Sequence, residues 1–203
     1  MALGNPPVSD YPPCMWMELL TRSLTERPGV CVGGLRDFAG AAVAVLIRPS
    51  GDVLFIERAI VEGDPWSGHM ALPGGRIDPT DQDAEAAVRR EVWEEVGIDL
   101  SGAMLLGALD QVASPDLAPR VCVTPFVFAL QTDPLVAIDT REVAAVHWFG
   151  LDRLTKGEGR GQFPYDYRGT EYLLPRIDLD GRRVWGMTLR IVDDLVERLQ
   201  PIA

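Results

Sequence analysis

Histidine is almost absent from this chain, which has only His69 and His147 among 203 residues. A catalytic triad or a metal centre built on histidine has little to draw on. Cysteine is nearly as scarce. Cys14, Cys31 and Cys122 are odd in number, far apart and without a CxxC pair, which argues against a disulfide scaffold or a zinc site. They read as small hydrophobic fillers. Long apolar runs are missing as well. The longest, Ala41 to Ile47, is far too short to span a bilayer, so no membrane partner is expected. Met1 to Pro13 lacks the basic start and apolar stretch of a secretory signal. It reads as a mobile arm, and cytoplasmic residence is the expectation. Positive charge is also short. Nineteen basic against thirty acidic residues leave a net charge of −11, which repels a long polyanion and argues against nucleic acid as a partner. A small phosphorylated substrate remains compatible if a divalent cation and a few local arginines offset the repulsion.

The remaining composition is that of a globular protein, 47% hydrophobic and 24% charged. No internal stretch has linker character. The expected organisation is an arm and short helix over residues 1–35, followed by one domain over 36–203. Trp16 to Glu26 suits a helix ended by Pro28-Gly29. Ala41–Arg48 and Val53–Arg58, joined by Ser50-Gly51-Asp52, read as a hairpin. Glu62 to Gly68 reads as loop. Ala84, Val88, Val92 and Val96 recur every four residues and predict a helix over Asp83–Val96, with Asp81 or Asp83 as N-cap and Gly97 as its stop. Strands are expected at Ala103–Leu109, Val121–Leu130, Val143–Trp148, Tyr172–Leu174 and Arg183–Trp185. A last helix is expected from Met187 to Leu199. This order predicts a mixed sheet between helices, in the α/β class.

Arg90-Glu91-Val92-Trp93-Glu94-Glu95-Val96-Gly97-Ile98 carries the chemistry. Glu91 and Glu95 stand four residues apart and project from one helix face, with Glu94 at its border. Carboxylates this close repel one another, and a bound Mg²⁺ turns the repulsion into coordination. Trp93, between the glutamates, is expected to press against a neighbouring loop. Pro73-Gly74-Gly75, just upstream, brings bare backbone close to a ligand because glycine has no side chain in the way. The alternative reading is a solvated acidic face paired with Arg89 and Arg90.

Gly75 and the segment from Arg90 to Ile98 resemble the Nudix box: Gly, five residues, Glu, seven residues, Arg-Glu, apolar, any, Glu-Glu, any, Gly, apolar. The second half fits at every fixed position. In the first half Asp81 stands where Glu is usual, and Arg90 arrives one residue late. That expansion resembles the coenzyme A pyrophosphatase branch, whose pattern GGxxDxxDxxxxxxAxRE is met by Gly74, Gly75, Asp78, Asp81, Arg90 and Glu91, with Val88 replacing Ala. Val123-Thr124-Pro125 and Val184-Trp185-Gly186-Met187-Thr188 are similar to further segments of that branch. An upstream motif, LLTxRSxxLRxxxGxVxFPGG, matches loosely at Leu54–Ala59 and at Gly68 and Leu72–Gly75. Its Leu-Arg pair is replaced here by Gly63-Asp64.

The resemblance implies a Nudix-type α/β/α sandwich and hydrolysis of a small-molecule diphosphate with Mg²⁺ or Mn²⁺, in coenzyme A or its derivatives or, alternatively, in a nucleotide sugar, a dinucleotide or a nucleoside triphosphate. It implies Glu91 and Glu95 as metal ligands, Glu94 as a third, the Gly75 carbonyl as a completing ligand, and Arg90 as the group orienting the glutamates. The general base is one of the box glutamates or, in a later loop, Glu142, which reads equally as an ordinary exposed residue at a strand start. Arg58, Arg76 and Arg120 are candidate phosphate contacts, although each alone reads as a solvated surface arginine. Trp66 and Trp185 stand where a base could stack, although an aromatic in such positions is more often packing. Asp78 and Asp81 suit the positive end of the helix dipole. The family commonly forms homodimers, although no stripe in this chain marks an interface. A nucleotide-sensing module without activity is the competing reading, against which the intact Glu91, Glu94 and Glu95 count.

Overall fold

The structure is a computed structural model that describes residues 13–31, 38–64, 66–114 and 120–200. Cys14 as a side chain, and the arm before Pro13, lie outside the described residues. Helix α1 (Pro13–Glu26) buries Trp16, Leu20 and Leu24, whose four-residue spacing puts them on one stripe. Strand β1 (Ala39–Ile47) runs to a turn at Gly51, whose φ of 84° suits glycine, and β2 (Asp52–Arg58) returns.

The expected hairpin exists only at its base, where Ile47 faces Val53. Beyond that point β3 (Met70–Ala71) takes the inner edge of β2, and β4 (Gly74–Arg76) takes the inner edge of β1. The outer edges are occupied by residues 143–150 along β2 and residues 121–129 along β1. Residues 70–76 are thus a wedge that splays β1 from β2. Gly74 is indispensable to it. Its φ is 142°, and a Cβ there would stand 2.2 Å from the Ala42 carbonyl oxygen.

Helix α2 (Ala84–Val96) follows the wedge. The Asp83 side chain accepts from the Ala86 N–H, and Gly97 ends the helix at φ 67°, donating to the Trp93 carbonyl. A single 3-10 turn (Leu100–Gly102) leads into β5 (Met104–Ala108), β6 (Val112–Ser114) and β7 (Val121–Ala129). β7 lies parallel to β1, from Ala39 against Val121 to Ile47 against Ala129. β8 (Val143–Gly150) lies antiparallel to β2. The result is a mixed sheet with helices on both faces.

Alternation decides the two faces. Ala42, Ala44, Leu46, Leu54 and Ile56 meet Val88, Val92 and Val96 of α2. Val45, Ile47, Val53 and Phe55 meet α1 and the last helix. Each of the three α2 valines is fully buried and contributes about 1.5–3 kcal/mol.

Helix α3 (Leu151–Thr155) then leads to a second, three-stranded sheet. It consists of β9 (Arg160–Tyr167), β10 (Thr170–Leu179) and β11 (Arg182–Trp185), all antiparallel. Helix α4 (Gly186–Arg198) closes the fold and buries Leu189, Ile191, Val192 and Leu195. Arg198, the last residue of α4, is also buried and donates to Asp194, Asp110 and the Arg27 carbonyl, which ties α4 to the segment after α1. Among the described residues no helix is long and apolar enough to cross a membrane.

Two expectations on single residues fail. Trp93 is 60% exposed, because the valine stripe already fills the face of α2 that meets the sheet. Cys31 is exposed rather than a filler, since it follows α1 outside the packed layers, whereas Cys122 on β7 is buried.

Candidate active site

The wedge and α2 bring two carboxylates against a glycine pair. Glu95 is 3% exposed, and one of its carboxylate oxygens accepts from the Gly74 N–H at 2.8 Å. Glu91, one turn earlier, rests against Gly75. A Cβ on Gly75 would lie 2.5 Å from the Glu91 carboxyl carbon. The contact therefore requires glycine, and the Gly75 backbone and the Glu91 carboxylate share one small space.

Burial pushes the Glu95 carboxyl up to about 8, against the opposing pull of the Gly74 N–H; the charges of Glu91 and Glu142 raise it further and Arg58 lowers it. Glu91 is also raised, by burial first, with Glu94 and Glu142 adding and the Arg90 hydrogen bond opposing. Two carboxylates that burial disfavours as anions supply oxygen donors of the hard kind that Mg²⁺ or Mn²⁺ takes, and a dication would offset the burial cost.

Arg90 organises the rim. It donates to Glu91 Oε1 and Glu94 Oε2, both at 2.9 Å, and to the Arg76 carbonyl at 3.3 Å. Its remaining donors form a fork on Asp81, Nε to Oδ1 at 3.0 Å and Nη2 to Oδ2 at 2.9 Å. Asp81 is therefore the anchor of Arg90, where the sequence suggested a dipole contact. That anchor pulls Asp81 below the ordinary carboxylate range. Asp78 accepts from the Thr80 hydroxyl and N–H and shapes the loop before the helix. Glu94 stays at the solvent edge, its side chain 52% exposed. Among the described residues no group of three or more His, Cys, Asp or Glu is arranged to hold a metal ion as it stands. The structure gathers Glu91 and Glu95 with Gly75 and leaves Glu94 on Arg90.

Glu142 is exposed, yet its charge reaches both Glu91 and Glu95. Its loop is pinned to the end of α2, because Ala137 N–H donates to the Val96 carbonyl and Asp139 N–H to the Glu95 carbonyl, both at 2.9 Å. Of the three arginines, Arg58 sits at the end of β2 with its charge felt by Glu95, and it donates to Asp64 Oδ2 at 2.8 Å. Asp64 Oδ1 accepts from the Trp66 N–H at 3.0 Å, which holds Asp64 below the ordinary range together with Arg58. Arg76 is exposed on β4, and Arg120 is exposed before β7, 5.7 Å over the Phe38 ring. Asp64 and Asp81 are the partners that sequence reasoning missed. Both act across loops, where no periodicity signals a contact.

Aromatic rings crowd the far side of Asp64. Trp185 of β11 lies 6.4 Å from Trp66, 5.3 Å from His69, 5.4 Å from Phe163 and 5.1 Å from Tyr165, centroid to centroid. Burial first, then the charges of Arg58 and Arg183, lowers the His69 imidazole below its usual value.

Comparison with known proteins agrees with this geometry. The sequence profile of the NUDIX domain matches residues 37–167. The human mitochondrial coenzyme A diphosphatase NUDT8 is 29% identical over 182 residues, covering 82% of this chain and 76% of that protein. The Nudix hydrolase NudL of Escherichia coli strain K12 is 31% identical over 160 residues, covering 77% and 80%. A Schizosaccharomyces pombe protein, C14C4.10c, is 37% identical over 119 residues, which are 56% of this chain but only 36% of that protein. Among solved structures, the NUDIX domain of Shewanella oneidensis NrtR, complexed with ADP ribose, shares the fold at a TM-score of 0.54 and 17% identity, covering 88% of this chain and 98% of that one.

Proposed function

The chain belongs to the Nudix family of hydrolases, and on that premise we propose that it cleaves the diphosphate linkage of coenzyme A or one of its derivatives. The observation that carries the reading is the pair Glu91 and Glu95, held side by side against Gly74 and Gly75. In this reading Glu91 and Glu95 would hold a divalent cation, with the Gly75 carbonyl and Glu94 as further candidate ligands. When bound, the cation neutralises the substrate phosphates and activates water. Arg90, fixed by Asp81, sets the angle of Glu91. Arg58 faces the diphosphate. Glu142 takes the proton as the water oxygen bonds to phosphorus and the bridging P–O bond breaks, releasing the second phosphate as leaving group.

Likeness to the coenzyme A diphosphatase NUDT8 supports the substrate class, as does the fit of Asp78 and Asp81 to the coenzyme A pattern. A second reading, another nucleoside diphosphate derivative such as a nucleotide sugar or dinucleotide, is favoured by one observation. Asp64 neutralises Arg58, removing a free positive charge from a region that the coenzyme A motif makes basic. The deciding experiment incubates the protein with Mg²⁺ or Mn²⁺ in ¹⁸O-labelled water over coenzyme A, acyl-coenzyme A, nucleotide sugars and dinucleotides, and weighs the products. The expected result is 4′-phosphopantetheine and 3′,5′-ADP, with the label in one phosphate. Inertness toward coenzyme A with turnover of another diphosphate selects the second reading. Label in no phosphate overturns both.

A further inference from the structure

The second sheet has one face too many for packing alone. Residues paired across its strands share a face, so Ile177, Leu179 and Val184 enter the main core together. The opposite face carries Phe163, Tyr165, Arg183 and Trp185. Trp66 and His69 meet it from the loop before β3. Phe163 is buried, with the Arg183 guanidinium 4.0 Å over its ring. Trp66, His69, Tyr165 and Trp185 are only half-buried, so ring surface remains open to solvent.

This aromatic face adjoins the carboxylate site. His69 leads directly through β3 to Gly74, whose N–H holds Glu95. The charge of Arg58 reaches Glu95 on one side and His69 on the other. Asp64 holds Arg58 and the Trp66 N–H at once, pegging the aromatic loop to the edge of the site. The Arg58–Asp64 pair therefore links the carboxylate site to the rings. The NUDIX domain match ends at residue 167, inside the second sheet, and Trp185 belongs to the Val184–Thr188 segment that resembles the coenzyme A branch.

We propose that the half-buried rings of Trp66, His69, Tyr165 and Trp185 form the subsite that stacks the adenine base of the diphosphate substrate, with Arg183 at its border. Stacking suits this surface because a nucleobase presents a π-face as wide as these rings, and an aromatic wall holds it without reading a particular hydrogen-bond edge. This rests on the diphosphate substrate proposed above and assigns the end of that substrate which the carboxylates do not touch.

The test measures binding without turnover. Tryptophan fluorescence is titrated in chelator with adenosine 3′,5′-bisphosphate and, separately, with ribose 5-phosphate, on the full chain. The expected result is quenching by the first and none by the second. Tyr165→Leu and Trp66→Leu, each checked for native circular dichroism, weaken the adenosine bisphosphate about ten-fold. Equal response to both probes, no response, or unchanged affinity in both folded variants overturns the subsite. Hydrolysis is scored separately in the product-mass assay. Turnover of coenzyme A without adenine-dependent quenching sinks the subsite and leaves the hydrolase standing, whereas quenching without turnover does the reverse.

Discussion

Replacing Glu95 with glutamine is expected to stabilise the metal-free protein while abolishing its response to metal. The carboxyl lies at about 8 in the fold against an ordinary value of 4.5. The folded chain therefore keeps a proton that the unfolded chain releases. Whatever Glu95 contributes is fully present below pH 4.5, declines as pH rises, and levels off above pH 8. At pH 7 the loss amounts to about 3 kcal/mol. Glutamine cannot ionise, and its carbonyl still accepts from the Gly74 N–H. Its amide hydrogens need new partners, at a cost of about 1–3 kcal/mol if none is found, so the net gain is at most ~3 kcal/mol. That corresponds to a Tm rise of up to roughly 6–12 °C near neutral pH for a chain of this size. The assay is thermal unfolding in EDTA across pH 4.5–8.5, then again with Mg²⁺. The gap between variant and wild type should open as pH rises, and Mg²⁺ should raise the Tm of the wild type alone. A gap of constant size across the range, or a variant less stable than wild type at pH 8, would refute the argument that burial of this carboxylate strains the fold.

Gly75→Ala places a methyl group on the Glu91 carboxylate, so kcat with Mg²⁺ should fall at least ten-fold while circular dichroism stays native; full activity would show that the close approach is dispensable. Asp81→Asn removes the charge that anchors Arg90 through its two-pronged fork, and should lower kcat/KM with little change in Tm. Glu142→Gln should lower kcat by about 10²–10⁴-fold while circular dichroism stays native; an unchanged kcat would move the general base elsewhere. Leu20→Ala, in the fully buried stripe of α1, should cost about 2–5 kcal/mol in urea unfolding, and a negligible effect would mean that α1 is dispensable to the core.

Helix α2 is legible in the sequence through the valine stripe and the Gly97 stop, which report on local geometry, whereas the cap stays open there between Asp81 and Asp83 and the structure gives it to Asp83. So were the long strands β1, β2, β7 and β8, whose apolar density has no other use. Strand β9 was not, since Arg160-Gly161-Gln162-Phe163-Pro164 has no alternation and is held by pairing with β10 rather than by propensity. The wedge at residues 70–76 was read only as an interruption. Its short strands exist because β1 and β2 part company, which is a tertiary event. The same division runs through the candidate site. Glu91 and Glu95 follow from four-residue spacing on one helix. Asp81 beneath Arg90, Asp64 beneath Arg58 and the rings around Trp185 arise from contacts between separate segments, and no local pattern announces them.

The parallel pairing of β1 with β7 has a consequence for the order of assembly. Ala39 cannot find Val121 until the intervening chain has been made, and parallel partners so distant in sequence close slowly. During synthesis α2 emerges well before the strand that completes the sheet behind it. Val88, Val92 and Val96 then have only part of their resting surface, and Glu95 has yet to be enclosed. A chain interrupted before residue 129 leaves the unpaired edge of β1 and the apolar stripe of α2 open to solvent, as a target for chaperones and proteases.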